Sequence, residues 1–102
     1  MMKSPQVAIA ARLDLLQIWN YLADQESTRK ATEVVEKIVL EFDRLAENPG
    51  MGHRRDEVTR RPLLFWRVYS YLIVYHASKK GIKVARVIHG ARDLRAVLKD
   101  VS

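Results

Sequence analysis

The 102-residue sequence predicts an α+β domain with its helices segregated to one face of an antiparallel sheet. Three observations carry that prediction. Two stretches of helical period follow one another between Ala11 and Leu45, and Asn48-Pro49-Gly50 ends the second. Three runs rich in Val, Ile, Tyr, Phe and Trp crowd the region from Phe65 to His89. A polar turn, Ser78-Lys79-Lys80-Gly81, joins the last two runs as a hairpin.

In chain order, residues 5–10 (PQVAIA) read as a short N-terminal strand. From about Ala11 to Asp24, Leu15, Ile18, Trp19 and Leu22 recur at i, i+3, i+4 and i+7, one stripe of an amphipathic helix. After the polar break, Ala31, Val34, Val35, Ile38, Phe42 and Leu45 keep the same period, with Ser27 or Thr28 as N-cap. Glu33 and Lys37 are spaced as an i,i+4 ion pair on the wet side. Proline then removes the next ladder bond and glycine supplies the left-handed cap, so the two helices form an antiparallel hairpin. Residues 51–62 have no period and many charges, which marks a basic surface loop.

Three strands follow, Phe65 to Tyr69, Tyr71 to Ala77 and Ile82 to His89. In the last, both alternating sets (Ile82/Val84/Arg86/Ile88 and Lys83/Ala85/Val87/His89) contain apolar residues, as a central strand covered on both faces requires. Leu94, Val97, Leu98 and Val101 have helical spacing in a segment too short to stand unless it docks on the sheet. The whole chain, residues 1–102, reads as one domain.

Composition narrows the function. An apolar fraction of 48% with 29% charged residues is that of a soluble domain, and no apolar run approaches the ~20 residues of a membrane span. Arg12 and Asp14 break the N-terminal apolar content, which argues against a secretory leader and for a cytoplasmic protein. With no cysteine there are no disulfides or thiolate metal sites. His53, His76 and His89 follow no ligand pattern, and there is no glycine-rich phosphate loop, so neither metal nor cofactor is expected. Net charge is +6, but residues 1–53 carry −2 and residues 54–102 carry +8. That field favours encounter with polyanions or acidic partner chains. Arg54, Arg55, Arg60 and Arg61 form its densest part, readable as a contact surface or as a solvated loop.

A polar knot of Arg86, His89, Arg92 and Asp93 within eight residues is the main candidate site: catalytic, partner-docking or a structural clasp. Asp93 would favour the start of the last helix, with an arginine pairing to it. Trp19 and Trp66 read as core anchors.

The order of four motifs brings a family into view. Asp-Leu-x-x-Ile-Trp-x-Tyr at Asp14 to Tyr21, Asn-Pro-Gly-x-Gly at Asn48 to Gly52, the Tyr71 to Tyr75 strand and Arg-Val-Ile-His-Gly-Ala-Arg-Asp at Arg86 to Asp93 together resemble the ParE/RelE toxin superfamily, within it the ParE branch. The resemblance spans nearly the whole chain and implies a RelE/ParE-like fold and a bacterial type II toxin. A ParD-like antitoxin would neutralise it and alone carry operator-DNA contact, with no membrane involved. ParE-branch members are associated with poisoning DNA gyrase, which makes Arg86, His89, Arg92, Asp93, Leu94 and Arg95 the target-binding candidates. RelE-branch members cleave mRNA on the ribosome, for which Arg67, Arg86 and His89 are the candidate phosphate and proton-transfer groups. A tyrosine or histidine–tyrosine pair at the end of the last strand is usual in those nucleases. Here Gly90 follows His89, so a binding toxin without catalysis is the first reading, and a non-toxic family member is a third.

The antitoxin is expected beside Leu15, Ile18, Trp19 and Leu22 and along the sheet edge, its acidic residues meeting Arg54, Arg55, Arg60 and Arg61. Removing the segment from Leu94 onward is expected to abolish toxicity and spare antitoxin binding.

Overall fold

The computed structural model describes residues 4–99 and 101; residues 1–3, 100 and 102 lie outside it. Its elements are β1 (Gln6–Val7), α1 (Ile9–Gln25), α2 (Thr28–Glu47), a 3-10 turn (Pro49–Met51), β2 (Leu64–Val68), β3 (Tyr71–Ser78), β4 (Gly81–His89) and α3 (Leu94–Leu98). The strands lie in the order β1-β4-β3-β2. β2, β3 and β4 are antiparallel, whereas β1 joins β4 in parallel through Gln6 opposite Lys83 and Val7 opposite Val84.

The N-terminal strand is shorter than residues 5–10. Ala8 is the extended cap of α1, its N–H bonded to the Val84 carbonyl at 2.9 Å, and the alanine-rich sequence after it favours helix. Ser27 caps α2, accepting from the Lys30 N–H at 3.0 Å. The Trp19 indole donates to Thr32 Oγ1 at 3.2 Å and fixes how far the two helices overlap. On the wet side, Glu33 pairs with Arg29 and Lys37 with Glu41, not with each other.

The hairpin packs one layer of core against the sheet, through Ile18, Leu22, Val34, Ile38 and Leu45 facing Ile73, Tyr75 and Val84. A second layer lies on the opposite face. There Leu94, Leu98 and Val101 cover Leu63, Phe65, Leu72, Val74 and Ile88, so the short helix does not share the side of the long pair. β4 is central and covered on both faces, as its sequence requires.

A bulge changes its phase. Val74 opposes Arg86 while Tyr75 opposes Val84, leaving Ala85 as the extra residue. The two alternating sets are therefore spliced. Ile82, Val84 and Val87 meet the helical hairpin, whereas Ala85 and Ile88 meet α3, and Arg86 moves off the face that strict alternation assigns it.

Tyr75 explains why the Asn-Pro-Gly-x-Gly break and the Tyr71 to Tyr75 strand occur together. Its ring is fully buried; its hydroxyl donates to the Pro49 carbonyl at 2.7 Å and accepts from the Gly52 N–H at 2.9 Å. A Cβ on Gly52 would lie 2.5 Å from that oxygen, so glycine is required here by close approach. Tyr75→Phe leaves both backbone groups without their partner and is expected to cost about 1–3 kcal/mol, read as a lower urea midpoint at unchanged m-value.

Glu41 is a buried charge in the same layer, accepting from the Trp66 indole at 3.1 Å and from Arg44 at 3.0 Å, with Lys37 at 3.9 Å. Burial acts to raise its pKa, but the hydrogen bonds from Trp66 and Arg44 and the charges of Lys37 and Arg44 outweigh it, and the net shift is downward. A lowered folded-state pKa stabilises the protein above the ordinary carboxylate value, and that contribution is lost as pH falls through the folded value. Urea unfolding followed from neutral to acid pH should show this loss, and Glu41→Gln should flatten it.

Candidate partner-binding cleft

α1 lies across the outer edge of β4, and one carboxylate sets that arrangement. Asp14 stands in the buried stripe of α1 between Ala11 and Ile18, where an unpaired charge would be costly. Its Oδ2 accepts from Arg86 Nε at 2.7 Å and from the Val87 N–H at 2.9 Å, and its Oδ1 accepts from Arg86 Nη2 at 2.9 Å. Arg86 Nη1 also reaches the Val97 carbonyl of α3 at 3.4 Å. One guanidinium thus bolts α1 to β4 and to the helix on the other face. The Asp14 hydrogen bond holds the Arg86 pKa above its ordinary value despite burial.

Beside this bolt, α1 and the end of the sheet enclose a cleft of about 390 Å³. It is lined by apolar Ile18 and Val87, by the rings of Tyr21, Tyr71 and His89, and by the polar Asp14, Gln17 and Arg92. The Tyr71 and His89 rings meet edge to face at 5.4 Å. Burial, together with Tyr21 and Glu26 nearby, raises the Tyr71 pKa. His89 Nδ1 accepts from the Ala91 N–H at 3.0 Å, which fixes the ring above the turn.

The backbone of β4 is also open here. The Gly90 N–H donates to the Ser70 carbonyl at 2.8 Å, so the next rung, Tyr71 with His89, is a non-hydrogen-bonded one, and so is Ile73 with Val87. The polar groups of Val87 and His89 therefore point to the outer edge. Asp14 takes the Val87 N–H and the Arg92 N–H takes the His89 carbonyl at 3.0 Å. The Val87 carbonyl and the His89 N–H have no partner among the described residues.

The residues singled out in the sequence distribute as follows. Ile18, His89 and Arg92 meet in the cleft, so residues assigned to two different partners share one surface. Leu15, Trp19 and Leu22 turn inward against the core. Exposed apolar area on α1 belongs to Tyr21 at the cleft and to Ile9, Leu13 and Leu16 on the opposite side of the helix. Asp93 caps α3 by accepting from the Ala96 N–H at 3.3 Å, and the arginine clasp joins Arg86 to Asp14, not an arginine to Asp93. Leu94 is core, and Arg95 grips the Glu57 carbonyl through Nε at 2.8 Å and through Nη2.

The arginine loop is internally tied. Arg54 binds Asp56 at 3.0 Å and the Arg60 carbonyl at 3.3 Å, and Arg55 stands over the Phe65 ring at 5.7 Å, while Arg60 and Arg61 are exposed. Arg67 and Arg86 lie two strands apart on different rungs, Arg67 level with Leu72 and Arg86 with Val74. Arg67 Nε donates to the carbonyl of Tyr69, an exposed residue at φ 55 in the β2–β3 turn, a conformation that favours glycine. Cross-strand geometry therefore does not bring the nuclease candidates together.

Asp14, Gln17, Tyr21, Tyr71 and Val87 line the cleft and were not among the candidates read from the sequence. Asp14 carried a signal: a carboxylate three residues after one buried position and four before another demands a buried partner.

Comparison with known proteins agrees with this architecture. The chain is 27% identical over 97 residues to Toxin ParE1 of Caulobacter vibrioides, covering 95% of this chain and 99% of the relative. It superposes on a chain of the chromosomal ParDE TA system from P. aeruginosa with a TM-score of 0.74, at 20% identity, over 86% of this chain and 96% of the other. The model of the ParE toxin of type II toxin–antitoxin systems, parDE, matches residues 7–94, from β1 to the first residue of α3, and the chain belongs to that family.

Proposed function

We propose that this protein acts by binding and without chemistry of its own, as a cytoplasmic inhibitor of DNA gyrase neutralised by a ParD-like antitoxin. The observation that carries the reading is the composition of the cleft against the dispersal of the nuclease candidates. Two tyrosines and an arginine, residue types enriched at the energetic centres of protein interfaces, converge with His89 at the end of β4. The phosphate-binding arginines of the alternative are not assembled: Arg86 is committed to Asp14 and Val97, and Arg67 lies elsewhere on the sheet.

The exposed row of Ile9, Leu13 and Leu16 fits the apolar face of an antitoxin helix. DNA contact then comes only through the antitoxin. Purified protein in a gyrase supercoiling assay, run beside a translating-ribosome assay with mRNA ends mapped, tests the reading. Inhibited supercoiling with intact mRNA is the expected result; codon-positioned cuts at normal gyrase activity would overturn it.

The charge distribution adds a prediction. An acidic antitoxin drawn to the +8 half should bind more weakly as salt screens that field, by about tenfold or more between about 0.05 and 0.5 M NaCl. Isothermal titration at the two salt concentrations reads this directly; equal affinities would remove the electrostatic part.

A further inference from the structure

The tip of the β2–β3 hairpin carries a residue that its backbone geometry disfavours. Val68 pairs with Tyr71, so Tyr69 and Ser70 form a two-residue loop with Tyr69 as its first residue. Two-residue hairpins place glycine, asparagine or aspartate there, because the turn needs a positive φ. Here a tyrosine holds φ 55, and among the described residues no other non-glycine residue has a positive φ. The side chain does not offset the strain: its ring is 59% exposed and makes no hydrogen bond, ring stack or cation–π contact among the described residues. The backbone around it is nevertheless held on both sides. Arg67 Nε donates to the Tyr69 carbonyl at 2.9 Å, and the Gly90 N–H donates to the Ser70 carbonyl at 2.8 Å, which ties this turn to the one after β4. A strained residue whose surroundings hold it in place, and whose side chain the fold leaves unused, points to a use outside the fold.

We infer that Tyr69 is an aromatic anchor for the protein that this chain inhibits, with Arg67 as its charged companion. Tyrosine brings a large, rigid ring and one hydroxyl with few rotamers to lose, and the pinned turn fixes where that ring leaves the surface. Arg67 is exposed, and its two Nη groups make no hydrogen bond or ion pair among the described residues, so they remain for a carboxylate. The matching surface is an apolar recess with an acidic residue at its margin. A nucleobase is the other occupant that such a ring stacks on, but one ring and one arginine on a hairpin tip do not make the positive groove that tracks a nucleic-acid backbone. The inference rests on the binding reading above for the identity of the target.

Replacing Tyr69 should move stability and function in opposite directions. Tyr69→Gly and Tyr69→Asn suit the backbone better, so each should raise the urea midpoint at unchanged m-value. Each should also need at least about tenfold more protein to inhibit gyrase supercoiling, the loss of one buried aromatic anchor. Affinity for the chain encoded beside this one, read by isothermal titration, should stay within about twofold of its original value, because that partner does not use the tip. Arg67→Glu should weaken inhibition about tenfold or more, by setting like charges against each other. Full inhibition by Tyr69→Gly, a lowered urea midpoint, or a matching loss of affinity for the neighbouring chain overturns the inference; indifference to Arg67→Glu overturns the acidic margin.

Growth arrest on induction, and binding of a fluorescent single-stranded oligonucleotide by the purified chain, separate the remaining cases. If the unsubstituted chain arrests growth without inhibiting supercoiling, the gyrase reading fails, and growth decides the anchor: relief by Tyr69→Gly supports it and unchanged arrest overturns it. A chain that does neither overturns both. Oligonucleotide binding that weakens with Tyr69→Gly assigns the ring to base stacking and overturns the protein partner; binding that is absent, or indifferent to the substitution, supports it.

Discussion

Cutting the chain before Leu94 should unfold it. Leu94, Leu98 and Val101 each bury an aliphatic side chain against the second face of the sheet, and their removal also uncovers Leu63, Phe65, Leu72 and Ile88. At about 1.5–3 kcal/mol for each buried aliphatic lost, the three alone approach the ~5–15 kcal/mol total stability of a small domain. The truncated chain is therefore expected to lose its cooperative urea transition and to bind a hydrophobic dye. Toxicity and antitoxin binding should disappear together, contrary to the expectation that this segment can be removed as a separate functional surface. Retention of a cooperative transition by the truncated protein would show that α3 is only appended to the sheet.

Asp14→Ala should produce the next largest effect. The carboxylate is 7% exposed and satisfies three donors, so its loss strands the Arg86 guanidinium in a half-buried site and leaves the Val87 N–H unpaired. Breaking a buried pair from one side costs about 3–5 kcal/mol, whereas replacing both partners with apolar groups of similar size is often nearly neutral. Asp14→Leu combined with Arg86→Met should therefore be more stable than Asp14→Ala, and a double-mutant cycle in urea should return a coupling energy of at least about 1 kcal/mol. Additive single effects would mean that Arg86 is held by Val97 and packing, not by Asp14.

Much of the fold was legible because its periods are clean. α2 buries one apolar stripe and is mostly charged elsewhere, Val39 and Leu40 apart, and its cap, length and stop all follow from local chemistry. α1 is different. Apolar residues line both its core side and its outer side, so a search for one stripe finds Leu15, Ile18, Trp19 and Leu22 and cannot divide them between a partner and the protein's own sheet, against which they pack. A helix apolar on two sides has no single preferred face, and only the packing of the sheet decides between them.

β4 hid its geometry for another reason. Strict alternation fails at one inserted residue, Ala85, and nothing local to Val84-Ala85-Arg86 marks a bulge. Its consequence is nevertheless large, since it sends Val87 to the helices and frees Arg86 to reach Asp14. The polar knot was read as a local cluster between Arg86 and Asp93, but its strongest bond runs to a residue 72 positions away. Sequence proximity gathered His89 and Arg92 and left out α1, which supplies half of the wall of the cleft they line.

The parallel pairing of β1 with β4 bears on when such a protein becomes dangerous. The first strand made can find its place only after the last strand exists, and the Asp14–Arg86 bolt closes across the same interval. A growing polypeptide on the ribosome can form the helical hairpin early, yet the edge that completes the cleft is absent until nearly the whole chain has emerged. At translation speeds of about 5–20 residues per second, that leaves several seconds in which the nascent chain lacks the cleft. Completion of the folded toxin is thus tied to the end of synthesis.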